Sequence, residues 1–174
     1  MADPSAHHLA QVNIGRWRVP SGDPGHEAAV ADFMALLDPV NALADGAPGF
    51  VWRLQTEAGN ATAIRPFDDP NLLINLSIWE SFEALRDFVY ASRHLDVMRR
   101  RREWFVRLTE EYMALWWVPA GTIPTVDDAK RALDRLRRAG PSPAAFTFRE
   151  PYPAPRAGRA GPPDRAVAGR RGTP

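Results

Sequence analysis

The chain of 174 residues contains no cysteine. Disulfides and thiolate chemistry are therefore excluded, and a reducing, cytoplasmic setting is the simplest expectation. No apolar run reaches the ~18 residues that would span a bilayer. The opening, MADPSAHHLAQVN, lacks the basic start and apolar core of a secretory signal. Chemical signatures are equally sparse. There is no GxGxxG, P-loop or GxSxG, and the histidines at 7, 8, 26 and 94 never fall at HxxxH or HExxH spacing. No cofactor, metal or membrane partner is predicted from motifs.

Charge of one sign is also scarce in most of the chain. The formal net charge is +1, but residues 149–174 hold six arginines against Glu150 and Asp164. That segment carries +4, which leaves −3 on residues 1–148. A mildly acidic body argues against a nucleic-acid partner. The last stretch, 151–174, is Pro, Gly, Ala and Arg with almost nothing to bury, and is expected to be a disordered tail behind a single domain over 1–150.

What is present is periodicity. Residues 8–14, 50–55, 72–79 and 112–118 alternate or run apolar as strands do. Residues 26–45 carry a helical stripe (Val30, Phe33, Met34, Leu37) that Pro39 should kink or divide. Ser81 is placed to cap a helix through Leu85 and Val89, a second piece follows from Ser92 to Leu108, and Thr125 caps a last one ending at Gly140. Residues 146–148 could add a short edge strand. The order β-α-β-β-α-(α)-β-α predicts an α+β fold, a ferredoxin-like four-stranded antiparallel sheet with helices on one face.

The apolar strand positions (Val12, Ile14, Trp52, Leu76, Trp116) should lie under the helices. The other face collects Gln11, Asn13, Arg53, Asn75, Trp79 and Trp117, a mixture of amides, one cation and aromatics that is unlike a wet surface. A second copy of the sheet is the natural cover, predicting a homodimer whose two sheets form a barrel around a small-molecule pocket. Those six residues are its expected substrate-binding lining. An open face with a few half-exposed aromatics is the plainer reading.

The run Arg99–Arg102 looks like a basic patch but is not one. At about 100° per residue with His94 at zero, Arg101 falls near ~340°, at the centre of the apolar arc of Val97, Met98, Trp104, Phe105 and Leu108. Arg99 and Arg100 point away from that arc. An inward guanidinium needs a carboxylate, carbonyls or a ligand anion. His94 shares its face and titrates near neutrality, so the two are the candidate catalytic pair: His94 as acid or base, Arg101 as charge stabiliser. The ordinary alternatives are a backbone-bonded histidine and an arginine satisfied by carbonyls. Haem ligation by His94 is a further alternative with no motif behind it.

The segments HLAQVNIGRWR (8–18), GFVWRLQ (49–55), NLSIWESFEALRDFVY (75–90), HLDVMRRRREWF (94–105), ALWWVPAGTIPT (114–125) and AFTF (145–148) together resemble an uncharacterised bacterial family, domain-of-unknown-function family 3291. The resemblance covers roughly residues 8–152 and implies a dimeric α/β-barrel fold. It assigns no catalytic residues. Its wider superfamily includes cofactor-independent monooxygenases, haem-binding and haem-degrading proteins, isomerases and polyketide cyclases. The family's usual AGH is AGT here at 120–122, so any role of a histidine at that place is absent. The implied activity is monooxygenase-like or isomerase/cyclase-like, on an aromatic or polyketide-like substrate. The alternative is a non-catalytic binder of a small ligand.

Overall fold

Alternating side chains on four short strands determine the architecture. The computed structural model describes residues 7–90 and 92–156, with backbone alone for 92–97. In chain order the elements are β1 (His7–Arg16), α1 (His26–Asp45), β2 (Phe50–Arg53), β3 (Leu72–Trp79), α2 (Phe82–Val89), α3 (Ser92–Trp104), β4 (Met113–Pro119) and α4 (Val126–Ala139). The strands form one antiparallel sheet in the order β2-β3-β1-β4, the ferredoxin-like arrangement that the element pattern predicts.

Register fixes two faces. Val12 pairs with Leu76 and Ala114, while Gln11 pairs with Ser77 and Leu115. The even-numbered face is apolar from Ala10 to Ile14 and across the partner strands, and packs against Ala129, Ala132, Leu133 and Leu136 of α4. The odd-numbered face lies under α1, α2 and α3, through Ala44 and Leu85 at one end and Phe33, Trp104 and Phe105 at the other. Helices thus cover both faces, three on one and α4 on the other. This corrects the expectation of one helix-covered face and one covered by a second copy. The α4 stripe at i, i+3, i+4 and i+7 needs apolar cover of its own, and the even face of the same chain supplies it.

Local chemistry explains the boundaries. The Ser81 hydroxyl accepts from Ala84 N at 3.1 Å, opening α2. Helix α1 continues through Pro39 without division. Helix α3 stops at Trp104, four residues before the predicted end, because Phe105 leaves it to bridge Trp17, with Val106 N donating to Arg16 O at 3.0 Å. A Cβ on Gly15 would lie 3.0 Å from the Phe105 ring, so the bare glycine lets that ring close on the strand. A bulge at Val51 separates Phe50, on the odd face, from Trp52, on the even one. FTF at 146–148 contributes a single bridge, Phe146 to Leu115, rather than a strand. Tyr152 still packs beside Phe146, at 5.9 Å between ring centres. The expected disordered tail lies, from 157 on, outside the described residues.

Thr125 and Asp128 form a capping box at the start of α4. The bonds from Thr125 hold the Asp128 carboxyl below the usual carboxylate range. Its folded pKa is depressed, so its contribution is complete above the unfolded value near ~3.9 and is lost as pH falls through the lower folded pKa. Thr125→Ala is expected to cost about 1 kcal/mol at neutral pH. Urea denaturation should show that loss shrinking below about pH 4.

Candidate functional site

Rungs of residues run across the odd-numbered face, at about 7 Å spacing along each strand. The first is Trp79, Leu9 and Trp117; the second is Arg53, Ser77, Gln11 and Leu115; the third is Asn75, Asn13 and Met113; the fourth is Leu73 beside Gly15. Two aromatic clusters stand over the ends. Over the first rung, Trp79 stacks on Phe88 at 5.0 Å and meets Phe50 edge-on at 5.3 Å. Beyond the fourth, Trp17, Phe33, Trp104 and Phe105 pack together. The middle rungs lie between these clusters as a floor beneath α1–α3.

That floor is polar and unevenly open. Gln11 is 5% exposed and Ser77 8%, whereas Asn13 is half-buried and Asn75 exposed. Three groups are joined: Trp79 Nε1 donates to Ser77 Oγ at 3.0 Å, and Ser77 Oγ donates to Gln11 Oε1 at 2.9 Å. Among the described residues no partner meets Gln11 Nε2 or the side chains of Asn13 and Asn75. The buried side-chain nitrogens without a partner among the described residues are His7 Nδ1 and His8 Nδ1, so the free amide groups of this floor are within reach of water and open to a hydrogen bond.

The structure brings Gln11, Asn13, Asn75 and Trp79 together as period-two alternation predicts, though beneath α1–α3 and not beneath a second sheet. Arg53 adjoins them but is spent. Its Nε and Nη2 clamp Asp45 at 2.7 and 3.0 Å, and Nη1 donates to Gly59 O at 2.7 Å. Trp117 lies on the first rung, and its indole N–H donates to Tyr152 O at 2.9 Å, closed over by the C-terminal segment. Arg101 points inward as the helical phase predicts, and a carbonyl satisfies it. Nη2 donates to Ile14 O at 3.0 Å, and the guanidinium lies over the Tyr112 ring at 4.3 Å. Burial pushes its pKa down from the usual arginine range, opposed by Tyr112.

The rest of the arginine run faces outward, Arg100 binding Glu103 at 2.7 Å and Asp32 at 3.1 Å. Met98, assigned to the apolar arc, is 42% exposed. His94 lies in α3 two turns before Arg101, and its side chain is outside the described residues. His7 and His8 are adjacent but alternate in direction along β1, so they make no pair.

Among the described residues no group of three or more His, Asp or Glu side chains could hold a metal, and no helix is long and apolar enough to cross a membrane. A depression of about 310 Å³ on the outer side of α4 is lined by Arg131, Asp134, Arg135, Arg138 and Ala139; it is a charged helix surface remote from the amide floor. Sequence reasoning did not single out Ser77. A serine between two apolar strand positions on the same face as two amides was the signal available.

A β2-β3-β1-β4 antiparallel sheet with an amide floor under its helices defines the chain as a ferredoxin-like α+β protein. It belongs to the family described as Domain of unknown function (DUF3291), whose model matches residues 8–161. No curated protein matches the sequence. Among solved structures it is similar to SnoaB, a cofactor-independent oxygenase from Streptomyces nogalater, with 18% identity and a TM-score of 0.46 over 69% of this chain and 100% of that one. A conserved protein from Methanosarcina mazei Go1 has 14% identity and a TM-score of 0.46, over 65% and 94%. A candidate antibiotic biosynthesis monooxygenase from Chloroflexus aurantiacus has 15% identity and a TM-score of 0.40, over 68% and 98%.

Proposed function

We propose that the protein is an enzyme for a small planar organic molecule bearing oxygen substituents, held over Gln11, Asn13 and Asn75. Its activity would be monooxygenase-like or isomerase/cyclase-like. The observation that carries this reading is the floor of partnerless amides set between two aromatic clusters. Aromatic walls suit a planar ring system, and convergent amides suit its oxygens. The reaction would begin with proton removal next to a carbonyl or from a phenol. His94 is the candidate base, and Arg101 would stabilise the resulting negative charge across the third rung. Assembly as a homodimer belongs to the same proposal. Since α4 occupies the even face, the second copy would meet another surface or displace that helix, and sedimentation should give twice the mass of one chain.

A second reading, a ligand binder without chemistry, is favoured by the state of Arg101. Its guanidinium already serves Ile14 O and Tyr112. A haem ligand would also fall under this reading, with His94 as its candidate axial group.

The test is deuterium exchange from solvent at the carbon beside the carbonyl of α-tetralone, followed by NMR. Exchange well above buffer, lowered about a hundredfold in His94→Ala, supports the enzyme. Binding of α-tetralone without exchange supports the binder. Neither binding nor exchange overturns both.

A further inference from the structure

The chain Trp79–Ser77–Gln11 has a direction. An indole N–H can only donate, so Ser77 Oγ must accept at 3.0 Å from Trp79. The hydroxyl keeps one hydrogen to give, and Gln11 Oε1 lies 2.9 Å away to take it. Were the amide reversed, Ser77 Oγ would face two donors and its own hydrogen would have no acceptor. Three side chains with exposures of 1, 8 and 5% leave no water to relieve that arrangement cheaply. The indole on β3 therefore selects the orientation of an amide on the neighbouring strand β1, by way of one hydroxyl.

The consequence falls on the free end of Gln11. Its carbonyl is spent, so the group left over is the NH2, a donor of two hydrogen bonds with no partner among the described residues. Gln11 Nε2 is not among the buried nitrogens left without a partner, which are those of His7 and His8; water reaches it, and an acceptor oxygen of a ligand can take that water's place. We propose that Gln11 is a polarity selector: locked by Ser77 and Trp79, it presents only N–H to the ligand and so accepts ligands that turn a hydrogen-bond acceptor oxygen, a carbonyl or phenolate, toward β1. Ligands that present only a donor there, or no polar atom, are disfavoured. Gln11 contacts the ligand; Ser77 is a positioning residue that acts through it.

This inference rests on the ligand site proposed above, and its test separates the two. Two bicyclic probes of nearly equal shape are titrated into the full-length protein: α-tetralone, with one acceptor oxygen, and tetralin, with none. The wild type should prefer the ketone by about fivefold, the worth of one neutral hydrogen bond. Gln11→Met keeps the length of the side chain and should abolish the preference while tetralin still binds. Gln11→Glu replaces donors by acceptors and should reverse it. Ser77→Ala should erode the preference without changing tetralin affinity, a ratio that general loosening of the fold would not move. An unaltered preference in Gln11→Met and Gln11→Glu overturns the selector and leaves the ligand site standing. Failure of the wild type to bind either probe overturns the ligand site and the selector together.

Discussion

Trp79→Ala is expected to destabilise the fold by about 3–5 kcal/mol, the range for removing a fully buried tryptophan. Trp79 is 1% exposed, stacks on Phe88 at 5.0 Å, takes the edge of Phe50 at 5.3 Å and donates its indole N–H to Ser77. Alanine would open a cavity beneath α2 and strand the Ser77 oxygen beside it. Against a typical total of about 5–15 kcal/mol, that is a large share. Thermal unfolding should drop by about 10 °C or more at this chain length. Trp79→Phe separates the two contributions: it keeps most of the packing and loses only the donor, so about 1–2 kcal/mol should go. If the two variants unfold at the same temperature, the packing argument fails.

The second large effect should come from Phe146→Ala, again about 3–5 kcal/mol. Phe146 is fully buried, and its backbone N–H and C=O exchange 2.8 Å bonds with Leu115 at the edge of the sheet. Its ring lies against Trp117 and Tyr152. Removing it loosens the strap that carries Tyr152 O to the Trp117 indole. Two readouts check this: a lower urea midpoint with an unchanged slope, and faster proteolysis between residues 141 and 156. Protection of that stretch equal to the wild type would show that the Leu115 backbone pair alone holds it.

Much of the fold is legible in the residues. Strand β3 could be read to the residue, because LLINLSIW is bounded by turn chemistry before it and the Ser81 cap after it. Helix α4 announces itself by Thr125 and its acids. Periodicity carries helix α3 on to Leu108, past its end at Trp104, since Phe105 fits the apolar arc of a helix as well as it fits the bridge to Trp17. The bulge at Val51 was invisible: FVWRLQ alternates identically with or without it, and only pairing with β3 reveals it.

The sheet faces show the same division. Alternation puts Val12 and Gln11 on opposite sides, but it cannot say which helix covers which side when α1 and α4 both carry apolar stripes. So the polar face was expected under a second copy, whereas α1–α3 cover it. Within the site, the common face of Gln11, Asn13, Asn75 and Trp79 follows from counting by twos. The clamp of Arg53 on Asp45 and the bonds through Ser77 do not, because cross-strand register and the end of α1 set them.

The position of β1 has a consequence for how the protein comes to exist. Strand β1, which precedes the other three strands of the sheet, is a central one, hydrogen-bonded to β3 on one side and β4 on the other. Its first neighbour is not made until residue 79 and its second not until residue 119. On the ribosome, therefore, the Leu9–Ile14 segment waits as an unpaired, largely apolar ribbon while most of the chain is synthesised. Contacts between such distant parts of a sequence make folding slow and leave the nascent chain open to association. The helix that should relieve this soonest is α1, whose Ala44 shares a cluster with Leu9 and is available to shelter it before any strand can.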